Sequence, residues 1–148
     1  MAANTIKPLF TAIANATGGR NGHSETTDGS VNVNLSVPKE MGGPGLPNTT
    51  TPEHLFATGY AACFRGAMDV IAGQTKKSVT DAAVRCETSI GPREGGGFGI
   101  AVKMHVTVPT LSKAEATEVV EATHANICPY SHATRGNIDI EFVVTGND

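Results

Sequence analysis

Three cysteines set the chemistry open to this 148-residue chain. Cys63 sits inside GYAACFRGAM, an almost wholly apolar run with no CxxC partner and no adjacent histidine. A thiol reacts as its thiolate, and apolar surroundings raise its pKa. On the residues alone Cys63 therefore reads either as a small core hydrophobe or as a nucleophile that needs a cation brought to it. Cys86 sits on the apolar face of an expected strand and reads as packing. Cys128 stands just before Pro129 in ICPYSHATRGN, where a helix must end. Cys63 and Cys128 are far apart in the chain, and spacing alone does not bring them together.

Other constellations are weaker. His124 and Cys128 are four apart, a spacing that suits a shared metal on one helix face. Zinc sites take three or four ligands, and no second pair lies nearby, so no metal is expected. Gly18-Gly19-Arg20 lacks the spacing of a phosphate loop. Ser24 and Ser131 lie in no nucleophile elbow.

These residues must be positioned by a fold, and the pattern predicts α+β with a mostly antiparallel sheet. Residues 5–14 read as a strand, followed by the turn TGGRNG. Asp28-Gly29 predicts a two-residue hairpin loop, and Val31, Val33, Leu35 and Val37 alternate after it. The segment PKEMGGPGLPNTT is a long loop. Thr51 as N-cap, Pro52 at the first position and Glu53 in the first turn open a helix expected to end at Gly73. That helix is apolar on nearly every side, so it should be covered all round. One small sheet cannot do this, which predicts a homodimer.

Two strands follow, one with Val84, Cys86, Thr88 and Ile90 on a face, the other alternating from Phe98 to Val108. Ser112 and Glu115 form a capping box for a helix that Pro129 should stop. A last strand carries Ile138, Ile140, Phe142 and Val144.

Composition narrows the function. The formal net charge is −3 with no basic block, which argues against nucleic acid and anionic membranes. No apolar run reaches the ~20 residues of a membrane span. The first residues show no basic-then-apolar signal pattern, and three cysteines make no disulfide framework. The expectation is one domain over residues 1–148, cytoplasmic, with reduced thiols.

Three blocks, TGGRNG, TPEHLFATGYAACFRGAM and ICPYSHATRGNIDI, in that order, closely resemble the organic hydroperoxide resistance (Ohr) branch of the Ohr/OsmC superfamily. The similarity covers essentially the whole chain. It implies an intertwined homodimer with sheets packed around long central helices. It also implies a thiol peroxidase for organic hydroperoxides, recycled by a dithiol such as dihydrolipoamide on lipoylated proteins, with no bound cofactor. By the same resemblance Cys63 is the peroxidatic cysteine, Cys128 the resolving one, and Arg20 and Glu53 complete the site. Thr51 and His132 depart from the family's usual asparagines, which bears on loop geometry and not on the reaction.

The chemistry is consistent with that assignment. Arg65 points to another side of the helix from Cys63, whereas Arg20 arrives from a separate loop. Taken alone, Arg20 would be a solvated loop arginine and Glu53 a helix-dipole carboxylate. A guanidinium can bind thiolate and carboxylate together. Glu53 and Cys63 are ten residues apart on one helix, about 15 Å along its axis. A straight helix then predicts that Arg20 and Glu53 of one copy meet Cys63 of the other. Two alternatives are an OsmC-type peroxidase of broader peroxide preference and a non-catalytic redox sensor on the same fold.

Overall fold

The computed structural model describes residues 5–148. They form two compact units, one up to Pro52 and one from Glu53 onwards.

The first unit is a three-stranded antiparallel sheet of β1 (Ala14–Thr17), β2 (His23–Thr26) and β3 (Asn32–Asn34). The expected first strand begins later than its sequence suggests: residues 5–13 form no strand, and Pro8 within them offers no amide donor to a ladder. Ile6, Leu9 and Phe10 are largely exposed along that segment. The β2–β3 hairpin is present, but its loop has four residues rather than two. Thr26 N–H donates to Val31 C=O across residues 27–30. The Asp28 carboxylate accepts from the Thr26 and Ser30 hydroxyls and from Ser30 N–H, which organises this longer loop. Those same bonds hold the Asp28 carboxyl down at about 2. After β3, Leu35 is the buried member of the predicted valine–leucine alternation, and a long loop leads to Thr50.

The second unit is built on α1 (Pro52–Thr75), which packs on a sheet ordered β4 (Ala83–Pro92), β5 (Phe98–Thr107), β6 (Ile140–Thr145). The pair β4–β5 is antiparallel and β5–β6 is parallel. A parallel neighbour requires a crossover, and here it is supplied by α2 (Lys113–Ala122), a π-helical stretch (Thr123–Ile127) and α3 (Pro129–Thr134). The sheets are thus mostly antiparallel, as the alternation implies, with one parallel edge. Val102, Met104 and Val106 of β5 point into the core, while Phe98 at its start is exposed.

The helix α1 passes through Gly73 and ends on Lys76, whose φ of 55° is left-handed. Lys77 N–H then donates to Ala72 C=O, closing the end as a Schellman-type turn without glycine. Burial of Ile71 and Ala72 keeps the last turn helical past Gly73. Within the chain α1 buries one face, through Tyr60, Phe64, Ala67, Met68, Ile71 and Ala72. Leu55, Ala62, Gly66 and Val70 on another side are exposed. Phe64 is fully buried and touches Tyr60 and Phe142. Phe64→Ala should lower unfolding free energy by about 3–5 kcal/mol in chemical denaturation, since the cavity cannot collapse against a sheet.

The capping box at Ser112 and Glu115 is complete, with the Ser112 hydroxyl accepting from Glu115 N–H and the Glu115 carboxylate accepting from Ser112 N–H. No helix among the described residues is long and apolar enough to cross a membrane.

Candidate active site

The second unit brings two of the three cysteines together. Cys63 lies in the middle of α1, half-buried, and Cys128 is fully buried at the break between the π-helical stretch and α3. Their sulfurs are 3.7 Å apart, with the Cys128 thiol donating to Cys63 Sγ. Forming a bond of about 2.05 Å from that start needs only a small shift of either side chain. Cys86 stands apart on β4, half-buried, its sulfur 3.6 Å from Thr88 Oγ1, and burial pushes its thiol up. It remains a packing residue.

Local sequence explains how Cys128 reaches this place. Pro129 ends the preceding helix, as expected, but it also opens a new one. Cys128 adopts extended backbone and serves as the N-cap residue of α3, with Pro129 in the first turn. Proline suits that position because its missing N–H would have had no partner there. The N–H of Tyr130, also unpaired within the first turn, is directed at Cys63 and favours its thiolate. Burial acts the other way and more strongly, so the Cys63 thiol lies above its ordinary pKa. The neighbouring Cys128 adds to the rise.

Aromatic rings cluster on the segments that carry this pair. Tyr130 packs edge-on against Tyr60 at 5.7 Å and tilted against Phe56 at 6.2 Å. Gly59, one turn before Cys63, makes room for it: a Cβ there would stand 2.9 Å from the Tyr130 hydroxyl. His132 holds its Nδ1 3.0 Å from the Cys128 carbonyl. A carbonyl only accepts, so that nitrogen carries the proton.

The hypothetical His124–Cys128 metal pair is not formed. His124 lies within the π-helical stretch and Cys128 just after it; His124 Nδ1 is 2.7 Å from Ser131 Oγ, and the Cys128 thiol faces Cys63. Among the described residues no group of three or more metal-ligating side chains is found. Arg65 does not serve Cys63 either: its guanidinium donates to the carbonyls of Val79 and Ala82 and to Asp69.

Arg20 belongs to the first unit, in the single 3-10 turn Gly19–Asn21 between β1 and β2. That turn is fixed by its glycines. Gly18 and Gly19 take φ of 73° and 61°, and a Cβ on Gly22 would run into the Thr17 carbonyl. The Asn21 side chain accepts from Val37 N–H at 2.9 Å and ties the turn to the following loop. Glu53 lies in the first turn of α1, and α1 is one continuous helix from Pro52 through Cys63. Ten residues of helix, about 15 Å of rise, therefore separate Glu53 from Cys63 on that axis.

Reading the residues in order missed a second layer. Tyr60 Oη lies 2.8 Å from Ser131 Oγ and 3.1 Å from Thr134 Oγ1. The repeated three-residue offset, Tyr60 to Cys63 and Cys128 to Ser131, was the available signal.

Known proteins resemble this chain over most of its length. Residues 43–143 match the family described as OsmC-like protein. The chain is 47% identical over 139 residues to an organic hydroperoxide resistance protein of Xanthomonas axonopodis pv. citri, covering 93% of this chain and 96% of that one. The crystal structure of an organic hydroperoxide resistance protein OsmC from Legionella pneumophila superposes with a TM-score of 0.87 at 44% identity, over 94% of this chain and 99% of that one. The crystal structure of the organic hydroperoxide resistance protein OhrB of Bacillus subtilis gives 0.84 at 39% identity, over 93% and 100%.

Proposed function

The chain belongs to the OsmC-like family, on its organic hydroperoxide resistance branch, and from that premise we propose that it is a cysteine-based peroxidase for organic hydroperoxides. The observation that carries this reading is the 3.7 Å approach of the Cys63 and Cys128 sulfurs.

In the proposed reaction the Cys63 thiolate attacks the terminal peroxide oxygen. The O–O bond breaks, the alkoxide takes a proton and leaves as alcohol, and Cys63 becomes a sulfenic acid. The Cys128 thiol then attacks the Cys63 sulfur, water departs, and the Cys63–Cys128 disulfide forms. A dithiol of the dihydrolipoamide class, carried on lipoylated proteins, reopens it by two exchange steps. No bound cofactor is needed. The half-buried Cys63 thiol needs a positive group to ionise near neutral pH, and Arg20, held by Glu53, is assigned that task. Because Glu53 and Cys63 are ten residues apart on one continuous helix, the assignment places Arg20 and Glu53 of one copy against Cys63 of a second. The exposed stripe of Leu55, Ala62, Gly66 and Val70 on α1 supports such a homodimer. The reaction is assigned to the cytoplasm, where thiols stay reduced.

Apolar walls favour alkyl hydroperoxides, because each buried methylene contributes about 0.8 kcal/mol and hydrogen peroxide has none. With dihydrolipoamide as reductant, cumene hydroperoxide should be consumed at least ~10-fold more efficiently than hydrogen peroxide. Equal efficiency would favour a broader OsmC-type peroxidase. Oxidation of Cys63 without continuing turnover would leave only a redox sensor.

A further inference from the structure

Ser131 has no task in the reaction above, yet its side chain is fully buried and lies between two partners. One is Tyr60 Oη at 2.8 Å and the other is His124 Nδ1 at 2.7 Å. Tyr60 precedes Cys63 by three residues on α1, and Ser131 follows Cys128 by three residues on α3. The Tyr60–Ser131 bond therefore joins the two cysteine-bearing segments about one helical turn from the sulfur pair. His124 extends the connection to the π-helical stretch that leads into Cys128. Arg135 closes the far side, donating from Nη1 to the His124 carbonyl at 2.6 Å and from its own N–H to the Ser131 carbonyl at 2.8 Å.

Proton accounting shows why a hydroxyl is needed at the centre. If Thr134 donates to the Ser131 carbonyl, Tyr60 donates to Thr134, Ser131 to Tyr60, and His124 Nδ1–H to Ser131. If Thr134 instead donates to Tyr60, each of the remaining bonds reverses and Ser131 donates to His124. In both circuits Ser131 gives one bond and accepts one. Alanine would leave the His124 nitrogen without this partner and remove one of the two bonds from Tyr60 of α1 to α3, leaving only the one to Thr134, a costly change in a buried network.

We propose that Ser131 is a positioning residue: bonded to Tyr60 and His124, its hydroxyl holds Cys128 against Cys63 and so sets how readily the two close into a disulfide. The proposal deepens the reading of Cys63 and Cys128 as a redox pair, but its test needs no peroxide. The full-length protein is equilibrated with mixtures of oxidised and reduced dithiothreitol. One cysteine thiolate opens the cyclic disulfide, and the other then displaces dithiothreitol from the mixed disulfide. Two electrons and two protons pass to the reagent, which leaves as its dithiol. Alkylation and mass spectrometry give the closed fraction.

Ser131→Ala should lower the equilibrium constant for closure at least tenfold, a rise of about 30 mV in potential. Tyr60→Phe, which keeps the ring and removes the hydroxyl, should move it the same way. The double variant should fall short of the sum of the two single shifts, because both remove the Tyr60–Ser131 bond. Val106→Ala, in the core of β5, serves as control: it should lower thermal stability without moving the constant. An unchanged constant in Ser131→Ala, or a shift no larger than that of Val106→Ala, overturns the proposal. If Ser131→Ala does not fold, Tyr60→Phe decides by the same criterion. A wild-type pair that closes with dithiothreitol but consumes no organic peroxide overturns the peroxidase reading alone. A wild-type pair that does not close overturns both.

Discussion

Cys63→Ser abolishes consumption of cumene hydroperoxide, with a fall of ~10³-fold or more in kcat/KM. The size follows from the chemistry. A serine hydroxyl is not ionised at neutral pH and has no accessible sulfenic state, so neither the first bond nor the later disulfide can form. The half-buried setting offers no substitute nucleophile. Cys128 is fully buried behind Cys63, and Cys86 lies apart on β4 with a thiol pushed up by burial. Cys86→Ser should accordingly stay within about twofold of wild type. Peroxide consumption by Cys63→Ser at a rate close to wild type removes the mechanism.

Arg20→Ala produces the second large effect, and its sign is read from pH. Burial already holds the Cys63 thiol above its ordinary pKa, and the Tyr130 N–H offsets only part of that rise. Loss of a cation placed near the thiolate leaves the effect of burial unopposed and so raises the apparent pKa. Below that pKa the thiolate fraction falls about tenfold per unit, so peroxide reduction at pH 7 drops by ~10- to 10³-fold. Activity should recover as pH rises through the new value. A pH profile of Cys63 alkylation by iodoacetamide measures the pKa directly, and an unchanged profile excludes Arg20 from the task. The same variant tests the two-copy site. In a heterodimer of one Cys63→Ser chain and one Arg20→Ala chain, an arrangement across copies leaves one intact site. An arrangement within each copy leaves none.

Features set by neighbours in the chain were legible from residues in order. The capping box of Ser112 and Glu115, Pro52 at the start of α1 and the alternation through Val102, Met104 and Val106 all form as their local patterns require. Local rules were also overruled where packing outweighed them. Gly73 stays helical because Ile71 and Ala72 beside it are buried, and Lys76 takes the left-handed turn instead. The Asp28-Gly29 pair makes a hairpin, but three hydrogen bonds to the Asp28 carboxylate favour the longer loop.

The candidate site divides the same way. Cys63 in its apolar run and Cys128 before Pro129 were conspicuous as residues, and the family blocks around them implied a pairing. Their 3.7 Å separation depends on contacts between segments remote in the chain, which no spacing encodes. The short α3 was hidden because Pro129 reads as a stop, and proline is equally a start. The Tyr60–Ser131–His124 connection was hidden because tyrosine, serine and histidine have no shared pattern until α1 and α3 are packed together.

The central claim is that Cys63 and Cys128 are the two ends of one redox reaction, and it can be measured in a single turnover. Fully reduced protein is treated with one equivalent of cumene hydroperoxide per chain, quenched by alkylation, digested and weighed. The account predicts one peroxide consumed, one cumyl alcohol released and one disulfide joining Cys63 to Cys128, with Cys86 alkylated. Peroxide left intact beside three alkylated cysteines, or a disulfide that includes Cys86, contradicts it.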